Sequence, residues 1–294
     1  MLDLAIIGGG PAALAAAIYA GRANLKVEIF ERKAFGGLLN EIHIIENYPG
    51  YIGSGVGLYE NMRKVAENCG AKLSYGECSE LVKKDDHFEF LIDGEERLKA
   101  RKVIAASGSE RRKLNIPGED SPRVSYCAIC DAPLTRGKTI LLIGGGNAAA
   151  QEALTIAKYA DEVTILSRSP MHCDASLMDR VRKAPKITVI EDVSAQSLRD
   201  EHKIKLTAVD GREFEADMLF IFIGNHPATS FLPRGVLAAD EGVIVDAKQE
   251  TTVKGLFAAG DCVHGVLRQV ITAASAGAIA AHQAIEELQK AQKK

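Results

Sequence analysis

The chain contains the same local pattern twice, and this repeat limits the folds that it can adopt. Residues 2–20 read LDLAIIGGGPAALAAAIYA, and residues 139–157 read TILLIGGGNAAAQEALTIA. Each copy has an apolar run typical of a buried strand, a turn of three glycines and an alanine-rich helix. Each then leads to a second strand, and these strands end at Glu31 and Ser167, equally far from the first glycine of their copies. The repeat predicts an α/β fold of two Rossmann-like, three-layer dinucleotide-binding domains.

The similarity between the two copies continues beyond the second strand. Residues 72–108 and 186–224 both alternate polar and apolar positions, as in an antiparallel meander of three strands that leads into a further strand. The first copy alone has an additional segment before its meander, which includes FGGLLNEIHIIENYPGY at 35–51. Because this insertion is rich in Gly and Asn, we expect the first copy to hold the larger ligand.

The end of the chain completes the first copy. It returns to strand patterns at 242–246 and 255–261 and then predicts one helix from about residue 268 to 289. This segment is too short to be a third domain. We therefore expect the second domain to be inserted in the first. The predicted limits are 1–113 plus 239–294 for the first domain and 114–238 for the second, inserted domain.

Both glycine turns carry the spacing GxGxxA. Small residues at these positions let the backbone turn sharply, approach a pyrophosphate and pack a helix against a strand. The free N–H groups at the start of the helix then bind the phosphates. One such turn alone fits many α/β proteins, but two in the same context favour two dinucleotide sites. The residues are Gly8, Gly10 and Ala13 in the first copy and Gly144, Gly146 and Ala149 in the second.

The residues at the two strand ends predict different nucleotides. Glu31 can accept a hydrogen bond from a ribose 2′-OH, which favours FAD or NAD in the first copy. Ser167 is not acidic and is followed by Arg168, which favours the 2′-phosphate of NADP in the second. The alternative for Arg168 is an ordinary surface arginine.

Charge and hydropathy exclude several classes of partner. Lys and Arg number 36 and Asp and Glu 39, which gives a formal charge of −3 and no basic stripe for nucleic acid or anionic membranes. The uncharged stretch Leu4–Gly21 holds four glycines and a proline, so we do not expect it to span a membrane. We expect a cytoplasmic protein, in a compartment that keeps thiols reduced.

Two of the six cysteines, Cys127 and Cys130, form a CxxC motif. A zinc site would need two further ligands at a regular spacing, and no second CxxC or HxxxH is present. A structural disulfide across two residues would contribute little stability, and two unconnected buried cysteines are a further alternative. We favour a redox dithiol, with the adjacent Asp131 transferring a proton. The alternative for Asp131 is a solvated or helix-capping residue. We expect the remaining cysteines to be packing residues: Cys69, Cys78, Cys173 and Cys262.

Several motifs in a specific order resemble the low-molecular-weight thioredoxin reductase family over essentially the whole chain. They are GGGPAALAAAIYA after the first strand, ENYPG at 46–50, SYCAICDAP at 125–133, GGGNAAAQEA at 144–153, and FAAGDC followed by RQVITAASAGAIAA. The resemblance implies a homodimer that binds FAD and reduces thioredoxin or a thioredoxin-like protein. It implies an FAD site formed by Gly8, Gly10, Ala13, Glu31, Gly37, Asn47, Gly260, Asp261, Arg268 and Gln269.

The resemblance also implies a mechanism. Electrons pass from reduced flavin to the disulfide through Cys130, Cys127 exchanges with the thioredoxin disulfide, and Asp131 is the acid. In the family the second domain rotates to expose this pair and to bring nicotinamide to the flavin.

One departure concerns the electron donor. Members that use NADPH carry an HRRxxxR cluster, whereas the window from Ser167 to Cys173 retains only Arg168. Because the turn at Gly144 is intact, we expect NADPH as the donor. The alternatives are NADH, reduced ferredoxin or deazaflavin, and a redox sensor that does not turn over.

Overall fold

The computed structural model describes residues 1–42 and 44–292, which form two compact units. The first unit comprises Met1–Glu110 and His226–Lys294, and the second comprises Arg111–Asn225. Each unit has a parallel sheet with helices on one face and antiparallel strands on the other side. The predicted fold class is therefore confirmed. Among the described residues, no helix is long and apolar enough to cross a membrane.

The elements follow the chain in an α/β order. The strands of the first unit are β1 (Leu2–Ile7), β2 (Val27–Glu31), β3 (Ile45–Tyr48), β4 (Tyr51–Gly53), β5 (Lys72–Tyr75), β6 (Cys78–Lys83), β7 (Phe88–Ile92), β8 (Glu96–Ala105) and β19 (Leu256–Ala258). The strands of the second unit are β10 (Val124–Ser125), β11 (Thr139–Ile143), β12 (Glu162–Leu166), β13 (Ile187–Ile190), β14 (Ala195–Asp200), β15 (Ile204–Ala208), β16 (Glu213–Ala216) and β17 (Met218–Ile221). Where the chain passes between the units, β9 (Ser109–Arg111) pairs with β18 (Asn225–Pro227). The helices are α1 (Pro11–Arg22), α2 (Gly55–Asn68), α3 (Ala128–Asp131), α4 (Asn147–Ile156), α5 (Ala175–Lys183) and α6 (Val270–Gln292).

In the first unit, the long strand β8 belongs to two parts of the sheet. Its second half lies parallel to β1 and β19, and the parallel order continues through β2 to β5. Its first half pairs antiparallel with β7, which in turn pairs with β6. The last strand of the predicted meander and the strand predicted to follow it are thus one continuous strand, β8. This arrangement puts the carboxyl ends of β1, β2 and β19 at one edge, where open α/β sheets bind their ligands.

Helix α1 is covered by α6 through small side chains. Alanines fill this contact, among them Ala12, Ala16, Ala280 and Ala284, all buried. A Cβ on Gly277 of α6 would overlap the carbonyl oxygen of Ala12. The two helices therefore approach backbone to backbone, which larger residues would prevent.

The second unit repeats this plan with a separate antiparallel layer. Its parallel sheet has the order β10-β17-β11-β12-β13, and β14, β15 and β16 form a three-stranded sheet of their own. One apolar cluster packs α4 and α5 on one face of the parallel sheet, and a second packs the three-stranded sheet on the other face.

The structure differs from the sequence-based limits at the return to the first unit. The contacts assign residues 226–238 to the first unit, whereas the sequence pattern puts the boundary at 238/239. The reason is that Phe231, Leu232 and Val236 pack in the apolar cluster beneath β8 and β7. The pattern at 242–246 is also not a full strand, because Val243 makes only isolated bridges there. The final helix begins at Val270.

We expect Gly277→Ala to destabilise the first unit. Helix propensity alone predicts that Gly→Ala inside a helix adds about 1 kcal/mol. Because the new Cβ would overlap the Ala12 backbone, we expect instead a loss of about 1–3 kcal/mol, the usual cost of overpacking. The measurement is the urea midpoint followed by circular dichroism.

The control is Ser275→Ala, at an exposed position of the same helix, which should change stability by less than about 0.5 kcal/mol. A Gly277→Ala protein at least as stable as the parent would contradict the close contact.

Candidate cofactor sites and cysteine pair

The turn between β1 and α1 is open at the position where a pyrophosphate would bind. Gly8 has φ 108°, and a Cβ there would overlap the carbonyl oxygen of Ala106. Around a Cβ placed on Gly10, in contrast, no atom lies within 4 Å. Helix α1 begins at Pro11 with no side-chain cap, so its first N–H groups face this free space. These features fit a dinucleotide phosphate at the helix start.

Glu31 and the inserted segment lie against the same turn. One carboxylate oxygen of Glu31 accepts a hydrogen bond from the Gly9 N–H at 2.7 Å, and the other accepts one from the Lys33 N–H at 2.8 Å. The carboxylate is thereby fixed at the end of β2. A Cβ on Gly37 would lie 3.7 Å from the Cα of Gly10, so the insertion reaches the turn.

The last segment of the first unit supplies the remaining predicted residues. Gly260 has φ 81°, and a Cβ there would lie 3.1 Å from the Cβ of Ala12 in α1. Burial raises the pKa of the adjacent Asp261, and the positive charge of Arg268 partly opposes this. The Gln269 side-chain oxygen accepts a hydrogen bond from the Asn47 amide at 2.9 Å. These contacts join Gly260 to α1 and Asn47 to Gln269, and the charge of Arg268 acts on Asp261.

The second glycine turn has the same backbone form but different surroundings. Gly144 has φ 150°, and its Cβ position lies 2.8 Å from the Cβ of Ala149. Ser167, at the position of Glu31, is buried and donates a hydrogen bond to the Ser169 carbonyl at 2.6 Å. Arg168 is exposed. The side chain of His172, from the loop after β12, lies over Gly146. Sequence reasoning did not assign this residue to the site.

Cys127 and Cys130 form a disulfide, with their Cα atoms 5.3 Å apart. Cys127 is the N-cap of the short helix α3, and its sulfur accepts a hydrogen bond from the Cys130 N–H at 3.2 Å. Cys130 is exposed and Cys127 is half-buried. The pair is therefore covalently joined and reachable from solvent.

Ser125 holds Asp131 beside this disulfide. The Ser125 hydroxyl donates to a carboxylate oxygen of Asp131 at 2.6 Å and accepts the Cys127 N–H at 3.1 Å. Ser125 is 6% exposed and lies on β10, where it pairs with Phe220 of β17. Sequence reasoning missed this residue, although a hydroxyl two positions before the CxxC was a usable signal.

The other cysteines are separate from the pair. Burial raises the pKa of the Cys78 thiol to about 12 and also raises the pKa of Cys262. These two thiols are protonated and poorly reactive at neutral pH. In residues 1–42 and 44–292, no three His, Cys, Asp or Glu side chains are grouped so as to hold a metal ion.

Comparison with known proteins agrees with this architecture. Residues 2–277 match the family model described as pyridine nucleotide-disulphide oxidoreductase. A thioredoxin reductase of Treponema pallidum is 40% identical over 294 residues, which cover 96% of this chain and 95% of that protein. The crystal structure of Lactococcus lactis thioredoxin reductase has 32% identity and a TM-score of 0.92, covering 99% of this chain and 100% of that one. The T. acidophilum enzyme has 30% identity and a TM-score of 0.88, covering 97% and 98%.

The fold and these matches define a flavin-type pyridine nucleotide-disulphide oxidoreductase. Within that class, the chain belongs to the low-molecular-weight thioredoxin reductase family, and the resemblance predicted from its motifs is confirmed.

We expect Ser125→Ala to slow the chemistry of the cysteine pair by about tenfold. The loss of a hydrogen bond to a charged group removes roughly 1.5–3 kcal/mol, part of which holds Asp131 in place. The measurement is the rate at which the reduced pair cleaves a small aromatic disulfide, recorded from pH 5 to 9. A positioning role predicts an altered pH profile as well as a lower rate.

The matched control is Ser121→Ala. Ser121 lies in the same unit and donates to a carboxylate oxygen of Asp200, also at 2.6 Å, away from the disulfide. Equal effects of the two substitutions, or an unchanged pH profile for Ser125→Ala, would contradict the role of Ser125.

Proposed function

We propose that the chain is an FAD-dependent reductase that transfers electrons through Cys127 and Cys130 to the disulfide of thioredoxin or a thioredoxin-like protein. The observation that carries this proposal is the Cys127–Cys130 disulfide with a carboxylate fixed beside it. A structural disulfide that spans two residues closes almost no loop, so stability is not its main role. The thioredoxin reductases of Treponema pallidum and Lactococcus lactis support thioredoxin as the substrate.

The first unit fits FAD better than the second. Its glycine turn is open at Gly10, and Glu31 presents a fixed carboxylate to a ribose hydroxyl. Asp261, Asn47 and Gln269 are the residues that would hold the rest of the cofactor. When bound, FAD would supply the two electrons that open the disulfide.

The cysteines carry out a balanced exchange. Two electrons and two protons convert the Cys127–Cys130 disulfide to a dithiol. The Cys127 thiol then loses its proton, and the thiolate attacks one sulfur of the partner disulfide. This forms a mixed disulfide and releases the other partner sulfur as a thiolate, which takes up a proton. The Cys130 thiolate attacks the Cys127 sulfur, restores the internal disulfide and releases the reduced partner.

Asp131 is the group that we assign to proton transfer. Its carboxyl can protonate the partner thiolate as it leaves and recover a proton from the Cys130 thiol. Ser125 acts through Asp131 by fixing the orientation of the carboxylate relative to the Cys127 backbone.

Two classes of donor agree with different features of the second unit. The intact GxGxxA turn and Arg168 support NADPH. Ser169 and Cys173, which stand where the family cluster has arginines, support a donor other than a nicotinamide nucleotide, such as reduced ferredoxin or deazaflavin. We further propose a cytoplasmic homodimer, as the family resemblance implies.

We expect Cys130→Ser to bind FAD normally and to lose reduction of thioredoxin by more than about a hundredfold, because no disulfide can form in the variant. Flavin absorbance and the reduction of thioredoxin by chemically reduced enzyme are the two measurements.

The control is Cys69→Ser, which removes a cysteine of the first unit outside the pair. Purified protein without flavin absorbance, or Cys130→Ser with unchanged turnover, would refute the proposal. Normal flavin chemistry with no reduction of any thioredoxin-like protein would indicate a redox sensor instead.

A further inference from the structure

The repeated glycine turn permits a comparison within one chain. Gly10 and Gly146 occupy the same position of the GxGxxA pattern, where a bare backbone is needed for close approach to a pyrophosphate. No atom lies within 4 Å of a Cβ placed on Gly10. A Cβ placed on Gly146, in contrast, would lie 3.3 Å from Nε2 of His172. The space that is free in the first copy is therefore filled in the second.

The ring of His172 covers both central glycines of the second turn. A Cβ on Gly145 would lie 3.4 Å from its Cε1 and 3.5 Å from its Nδ1. The matching Cβ position on Gly9 in the first turn is also occupied, by Phe35 and Glu31, so the two turns differ at Gly146 and Gly10.

The loop that carries His172 is fastened on both sides of the ring. The His172 N–H donates to the Gly145 carbonyl at 2.8 Å, and the Met171 N–H donates to a carboxylate oxygen of Glu191 at 2.9 Å. The flanking side chains of Met171 and Cys173 pack against the apolar core of the second unit. A rearrangement of the whole loop would break these contacts, which hold the backbone at His172 beside the turn, while the ring itself is exposed.

A negative charge at the start of α4 also disfavours the binding of a phosphate there. Asn147, the first residue of α4, donates to a carboxylate oxygen of Asp174 at 2.9 Å, and its own side-chain oxygen accepts the Asp174 N–H at 2.7 Å. A carboxylate is therefore already present beside the helix start that would bind phosphate. A negative charge beside the helix start disfavours the binding of a second anion there. The nearby strand end offers one arginine, Arg168.

We propose that His172 closes the second glycine turn to the pyrophosphate of dinucleotides and so determines which electron donor the protein uses. It lowers the affinity for NADPH and NADH alike, because both share the pyrophosphate. The electrons would then come from a donor that does not bind at Gly144–Ala149. This inference rests on the proposed function and decides between its two classes of donor.

The experiment measures binding directly, with the FAD-loaded full chain and isothermal titration with NADPH and with NADH. We expect His172→Ala to bind both nucleotides at least about tenfold more tightly than the parent, since the ring is removed and the backbone bond to Gly145 is kept. His172→Phe, which retains the bulk of the ring, should bind them as weakly as the parent. His202→Ala, on an exposed turn of the three-stranded sheet, is the matched control and should leave binding unchanged.

Weaker binding of the nucleotides by His172→Ala would overturn the inference. If His172 were a ligand for the phosphates, His172→Ala and His172→Phe would both bind the nucleotides more weakly. Unchanged binding in His172→Ala would also refute it. Reduction of thioredoxin by the chemically reduced parent and by His202→Ala is measured separately, without a nucleotide. Failure of that reaction refutes the proposed function, but the nucleotide-binding result can still be interpreted.

Discussion

Close approach of backbone to backbone around the start of α1 is the constraint on which the first unit depends. The turn after β1 passes directly beneath the strand end of β8, and α6 and the segment after β19 both contact the first turn of α1. A glycine stands at each of these contacts, at Gly8, Gly277 and Gly260. Since a side chain at these places would separate the layers, the fold and the open helix start have the same cause. The site is a consequence of how tightly the sheet and the helices pack.

The second unit shows that the same backbone need not give the same site. Its turn keeps the left-handed first glycine and the buried alanine, Gly144 and Ala149, so strand and helix pack as in the first unit. What differs is the loop after the second strand. In the first unit this position holds the Glu31 carboxylate, and in the second it holds a buried serine followed by a loop that lies on the glycines. A GxGxxA pattern therefore defines the packing of a turn, whereas the following loop decides whether the turn can bind.

The parts of the structure that depend on neighbours in sequence could be predicted, and those that depend on distant contacts could not. The two strand–turn–helix units follow from local periodicity and from glycine. The contact between Asn47 and Gln269 joins residues 222 positions apart, and only the family resemblance placed them together. The sequence pattern puts the return to the first unit at 238/239 instead of 226, because nothing in sequence distinguishes Phe231 and Leu232 from other apolar residues before the cluster that they fill is known. His172 lies in the same window as Arg168, but its position over Gly146 depends on a backbone bond to Gly145 that no spacing reveals.

The cysteine pair illustrates how the rigid part of a fold supports a reactive one. Helix α3 is only four residues long, and isolated helices of that length do not persist. Its geometry is maintained from outside, because Ser125 lies on a strand of the parallel sheet and bonds to both the first cysteine and the aspartate that follows the second. The sheet thereby fixes the two ends of the CxxC segment while Cys130 stays exposed. The Ser125 bonds involve neither sulfur atom, so the opening of the disulfide does not itself break the contacts that hold this segment on the sheet.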